Sequence, residues 1–252
     1  MDFAEHLRLI DERSTAFRAV VAAAPSLDAL VPSCPEWTLA DLVQHLGEGR
    51  RRWAVTVAAG PADAPPPRSA WETTAPADHL GWLAATTREL VDALREAGPD
   101  RECWTWWEKA PHTSGAVARH QLQQMAVHTY DAQLTVGAPE PLPASVALDG
   151  VDEFLTTCVA TSTAWPHEPA VIHYHATEGY GWRVRLSADG AEVSRLSDTA
   201  TGSDTATGAD ASATACASDL VLFFYGRIPM DAVKADGDLR VFERLIAWDP
   251  SA

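Results

Sequence analysis

The chain has no run of about 18 apolar residues, so the sequence offers no membrane span. It has no CxxC pair. Cys34, Cys103, Cys158 and Cys216 stand far apart, which argues against a zinc knuckle and against a disulfide framework and leaves each as a small buried hydrophobe. Lysine is nearly absent: only Lys109 and Lys234 accompany the arginines, and 35 acidic against 19 basic residues give a net charge of −16. Such a chain repels phosphate backbones, so nucleic acid is a poor partner. The N-terminus, Met1-Asp-Phe-Ala-Glu-His6, lacks the basic-then-apolar order of a secretion signal. A cytoplasmic protein is expected, without a membrane or nucleic-acid partner.

What is present is a length of 252 residues, with 46% hydrophobic residues and 10 Trp. That is enough for one large domain or two ordinary ones. Phe3, Leu7, Ile10, Phe17 and Val21 recur at three- and four-residue steps and predict a first helix. Pro32-Ser-Cys-Pro35 breaks the chain, and Thr38 with Asp41 three residues on reads as an N-cap. A second helix carries Leu39, Leu42, Val43, Leu46 and Trp53 and ends near Gly60; the proline-rich stretch from Pro61 to Pro76 is loop. Leu80, Leu83, Leu90 and Leu94 mark a third helix, stopped by Gly98-Pro99. The tryptophan-rich Trp104-Thr-Trp-Trp107 leads into a fourth, from Thr113 to Val136. Short connections of this kind favour an antiparallel four-helix bundle over residues 1–140.

Residues 141–252 have a different texture. A fifth helix is expected around Val151–Thr161. Ala170–Ala176 and Gly181–Leu186 alternate as strands across a turn at Thr177-Glu-Gly-Tyr180, and Ala191–Leu196 and Ala213–Cys216 read as further strands. A helix with Leu220, Val221, Phe223 and Phe224 and a terminal helix with Leu239, Phe242, Leu245 and Ile246 flank the turn Gly226-Arg-Ile-Pro229. The near-repeat between Asp198 and Gly208 is expected to form a mobile loop. The fold class is therefore α+β, a bundle followed by a smaller domain with a mostly antiparallel sheet.

Two histidines carry the functional signal. His45 lies in the second predicted helix and His128 in the fourth, both on segments that should face a core. His120, Gln124 and His128 are spaced i, i+4, i+8 and form one stripe. Polar, metal-competent side chains where leucines belong cost stability and ask for a functional reason. Asp131 reads as a hydrogen-bond acceptor that orients a histidine or the helix end. His120 reads as a partly exposed helix residue. His173 and His175 share one strand face, without a third partner in the sequence for a metal.

Val31-Pro-Ser-Cys-Pro-Glu-Trp-Thr-Leu-Ala-Asp-Leu-Val-Gln-His-Leu-Gly47, Ala126-Val-His-Thr-Tyr-Asp-Ala132 and Ser218–Ala232 with Gly237-Asp238 together resemble the mycothiol-dependent maleylpyruvate isomerase family. That family's N-terminal half is a DinB-like four-helix bundle. The resemblance implies a divalent metal, usually zinc, held by a histidine of the second helix and a Glu-x-x-x-His pair of the fourth, with an open position for a thiol such as mycothiol. It gives His45 and His128 as ligands and catalytic residues. Gln124 stands where the family has its carboxylate, which takes one negative charge from the metal's surroundings. Three outcomes stay open: ligation through the Gln124 amide, substitution by His120, or loss of the metal.

Arg227 corresponds to a turn arginine that the resemblance places near the pocket mouth. There it would clamp a substrate carboxylate and neutralise developing enolate charge. Trp104, Trp106 and Trp107 offer rings for the thiol cofactor or an aromatic substrate, or packing for the bundle end. The leading expectation is a thiol-dependent transferase or isomerase acting on a small electrophilic or unsaturated acid, as monomer or homodimer. The alternatives are a metal-free biosynthetic enzyme that uses His45 and His128 as acid–base groups, and a non-catalytic ligand-binding protein.

Overall fold

A computed structural model describes residues 1–196 and 208–250 and divides the chain into two compact units. The first comprises Met1–Trp106 and Pro111–Leu142; the second comprises Trp107–Ala110 and Pro143–Ala252. The loop expected between Asp198 and Gly208 lies outside the described residues except for Gly208 itself.

Four long helices build the first unit: α1 (Phe3–Ala23), α2 (Leu39–Ala59), α3 (His79–Ala97) and α4 (Ser114–Thr135). Side chains start each of them. The Asp2 carboxylate accepts from the Glu5 N–H, and Asp78 accepts from Gly81 N–H at 3.0 Å. Thr38 and Asp41 form a reciprocal capping box, as their spacing predicts. Leu39, Leu42, Val43 and Leu46 of α2 bury themselves with Phe17, Val21, Leu83, Met125 and Ala132. Gly47 lets α2 and α3 approach closely, because a Cβ there would lie 2.0 Å from the Trp82 ring.

A short antiparallel ribbon, β1 (Leu30–Val31) with β2 (Cys34–Thr38), precedes α2. The sequence reads only a break there. Pro35 is tolerated because the ribbon has two strands and both are edges.

The middle of α2 carries an unusual core residue. Arg50 is 1% exposed and donates to the Leu83 carbonyl at 3.1 Å and to Met125 Sδ at 2.6 Å. Burial, and secondarily the nearby Arg18, push its guanidinium down to about 9.

The second unit opens with α5 (Ala144–Phe154), which begins earlier than its apolar run suggests because Pro143 sits at its N-cap. Its continuation, Leu155–Val159, is a π-helical turn rather than α-helix. The sheet has the order β5-β4-β3-β6-β7: β3 (Ala170–Ala176), β4 (Tyr180–Ser187), β5 (Gly190–Arg195), β6 (Ala211–Ala215) and β7 (Lys234–Gly237). Its pairs are antiparallel except β3 with β6. The polar four-residue β7 has no apolar alternation and escapes a sequence reading. Helices α6 (Ala217–Phe224) and α7 (Arg240–Ala247) complete the unit. One sheet face buries Ile172, Tyr174, Trp182, Val184, Leu186 and Ala213. Trp182 gives its indole N–H to Asp152 of α5 at 3.0 Å and lies under the Arg195 guanidinium, 4.7 Å from the ring centre.

All four cysteines are free; Cys103 is buried and the other three are half-buried. Among the described residues no helix is long and apolar enough to cross a membrane.

Candidate functional site

The bundle brings the two histidines together. His45 of α2 and His128 of α4 have ring centres 5.1 Å apart and meet edge to face, and Trp37 of β2 lies 4.8 Å from the His45 ring. The capping box that starts α2 and the ribbon before it set the position of both Trp37 and His45.

His128 is buried, and its orientation is fixed. Its Nδ1 lies 2.9 Å from Asp131 Oδ2, one turn further along α4. Asp131 is itself fully buried and accepts the Ser33 hydroxyl at 2.6 Å on its other oxygen. A carboxylate can only accept here, so Nδ1 carries the proton and Nε2 is left as a lone pair or a ligand. Asp131 thus orients a histidine, as its position suggests. Ser33 was legible only as part of a turn, because its partner lies 98 residues away in sequence.

His45 does not face the core as its segment suggests: it is exposed, with Trp37 and His128 set against its ring. Desolvation, then the neighbouring His128, push its pKa down to about 4, against a smaller upward pull from Asp131. It is neutral at physiological pH.

His120 does not behave as a partly exposed residue. It is 5% exposed, and its ring lies edge-on to Trp53 and Trp106 at 6.1 and 5.7 Å. The physical reason is that α4 packs against α1, α2 and α3 at once, so no face of it is reserved for solvent. Gln124, between the two histidines on the stripe, is half-buried.

Trp104 stacks on Trp53 with ring centres 6.3 Å apart, and Arg52 sits 5.6 Å over the Trp104 ring. Trp106 is 48% exposed, whereas Trp107, at 3%, has almost no surface to offer a ligand. Arg227 belongs to the second unit. Its N–H closes the end of α6 on the Leu222 carbonyl at 2.7 Å after Gly226, whose φ of +69° suits glycine. Its guanidinium donates to the Tyr225 carbonyl at 2.7 Å.

His173 and His175 also lie in the second unit, and His173 Nε2 accepts from Arg183 Nε at 3.2 Å. Among the described residues no group of three or more His, Cys, Asp or Glu side chains gathers as a metal site.

Residues 7–133 match the family model described as the mycothiol maleylpyruvate isomerase N-terminal domain, and residues 145–244 match the MDMPI C-terminal domain. Two solved structures share the fold. A crystal structure of the mycothiol-dependent maleylpyruvate isomerase superposes with a TM-score of 0.63 at 12% identity, over 94% of this chain and 93% of that one. A histidine-to-alanine mutant of that enzyme gives 0.62 at the same identity and coverage. No curated protein matches in sequence.

Proposed function

This chain belongs to the mycothiol maleylpyruvate isomerase family, and on that footing we propose that it is a thiol-dependent isomerase or transferase of a small unsaturated or electrophilic acid. The observation that carries this reading is the buried His128–Asp131 pair with the exposed His45 ring beside it.

The chemistry follows from the tautomer. With Nδ1–H committed to Asp131, His128 Nε2 takes the proton of a thiol, and Asp131 stabilises the imidazolium that results. The thiolate adds to the double bond of the acid: a C–S bond forms and the π pair moves onto the conjugated carbonyl as an enolate. Rotation about the new single bond follows. Return of the pair then expels the thiolate, which recovers its proton from His128. In a transferase the enolate carbon takes the proton from His128 instead, and the saturated thioether leaves. His45, neutral and open on one edge, gives or accepts a hydrogen bond beside the reacting sulfur without adding charge. Trp104 is the proposed platform for the thiol cofactor.

A second reading has a specific observation behind it. A carboxylate on Nδ1 is also how proteins hold a metal-ligating imidazole. His128 and His45 would hold zinc or a similar ion, and Gln124 would add an amide oxygen; when bound, such an ion lowers a thiol's pKa. Two imidazoles fit it. The third donor is neutral where a tightly held ion would want charge.

One experiment separates the readings. The purified protein is given maleylpyruvate with and without mycothiol, before and after a strong chelator, with its zinc content measured in parallel. Turnover that needs mycothiol and survives the chelator supports the proposal. Chelator-sensitive turnover with stoichiometric zinc moves the chemistry to the metal. Thiol binding without turnover of any unsaturated acid leaves a ligand-binding protein.

A further inference from the structure

One cleft of the second unit, about 930 Å³, is lined by none of the residues invoked above and has a character of its own. It runs from one face of the sheet over the edge strand β5 to the Thr156–Thr161 segment and Lys109. That face is polar. Arg183 and Arg185 stand two residues apart on β4 and so on one side, roughly 7 Å from each other along the strand. In the strand register Arg183 faces Ser194 and Arg185 faces Glu192 on β5.

The two guanidiniums are prepared rather than spent. Arg183 gives its Nε to His173, which is 2% exposed and so holds the fork in place from within the fold. Both of its Nη groups are uncommitted among the described residues. Arg185 has no hydrogen bond or ion pair among the described residues, even though Glu192 is its cross-strand neighbour. Lys109 is different: it is already engaged by Glu108 at 3.4 Å and by the Ser162 hydroxyl. Two adjacent arginines without an ion pair repel each other over the cleft, and an oxyanion between them relieves that repulsion.

The carboxylates of Glu192 and Asp189 also line the cleft, and they narrow the ligand. They disfavour a polyanion such as a nucleoside triphosphate, and they accept hydrogen bonds from hydroxyls, as Ser194 can. We propose that this cleft binds a small, hydroxyl-rich molecule with a single oxyanion group, a sugar acid or a sugar phosphate. Arg183 and Arg185 grip the oxyanion, and Ser194 and Glu192 take hydroxyls.

The test is calorimetric titration of the full chain with gluconate, glucose 6-phosphate, glucose and sulfate. At least one of the two sugar anions should saturate one site, and which of them does so tells carboxylate from phosphate. Glucose, without the charge, and sulfate, without the hydroxyls, should each bind roughly tenfold more weakly or worse. Arg183→Gln and Arg185→Gln should each lower the affinity about tenfold or more while the melting temperature stays within about 2 °C, since both side chains are exposed. The proposal fails if neither sugar anion binds at about 10 mM. It fails equally if sulfate binds as tightly as they do, or if both arginine variants bind like the parent.

Discussion

Replacing Asp131 by asparagine is the sharpest perturbation of the bundle site, because the carboxylate serves stability and chemistry through the same two bonds. Asp131 is fully buried and accepts from Ser33 Oγ at 2.6 Å and His128 Nδ1 at 2.9 Å. Hydrogen bonds to a buried charge contribute about 1.5–3 kcal/mol each, roughly twice a neutral one. Asp131→Asn keeps the shape but loses the charge, so we expect a loss of about 1–3 kcal/mol, read as a fall in melting temperature of about 2–12 °C. Asp131→Ala, which strands both donors, should cost more.

The chemical effect is separable. The amide has one acceptor oxygen for two partners. If its NH2 turns to His128, the imidazole proton must move to Nε2 and the base is lost; if it turns to Ser33, the imidazolium loses its stabilising charge. Either way kcat with thiol and unsaturated acid should fall about 100-fold or more, with KM changed little. The assay is steady-state turnover beside 15N spectra of the histidine rings, which report which nitrogen holds the proton. Wild-type kcat, with His128 still protonated at Nδ1 alone, would refute the reasoning.

Three further outcomes follow from the packing and the charges. Gly47→Ala should destabilise by about 1–3 kcal/mol in chemical denaturation, because its Cβ would enter the Trp82 ring and both helices must part; an unchanged midpoint would show that α2 and α3 do not touch there. Arg50→Met should melt within a few degrees of wild type or above it, whereas Arg50→Ala should lose about 2–5 kcal/mol, since a buried guanidinium without a carboxylate contributes chiefly its volume. His45 has its pKa lowered by folding, from 6.5 to about 4. The unfolded chain therefore binds more protons in that window, and the His45 contribution to stability is complete above pH 6.5 and lost as the pH falls toward 4. Stability of His45→Gln, followed by urea midpoints across this range, should fall less steeply with acid than that of wild type.

The bundle was largely legible because its helices announce themselves locally. Thr38 and Asp41 cap α2, glycines end α2 and α3, and leucines at three- and four-residue steps give the buried faces. What escaped was set by distant contacts. Pro32 and Pro35 read as breakers, and only pairing between Leu30 and Thr38 makes a ribbon of that stretch. The stripe on α4 was visible, but His120 was expected to be partly exposed because the resembling family commonly has a basic residue there, and a helix surrounded by three others has no solvent side to offer it. The apolar run at Leu155–Val159 has helical spacing, and nothing local tells a π turn from an α turn. In the site, Asp131 could be found by its spacing from His128, while Ser33 and Trp37 are joined to it only by the fold.

The central claim is that a thiol is received between His45 and His128. It is tested most directly by titrating mycothiol into protein labelled with 15N in its histidine rings. The account expects the His45 and His128 signals to move together and saturate at one thiol per chain, with His173 and His175 unmoved. Saturation that leaves both bundle histidines unshifted would place the thiol elsewhere and contradict it.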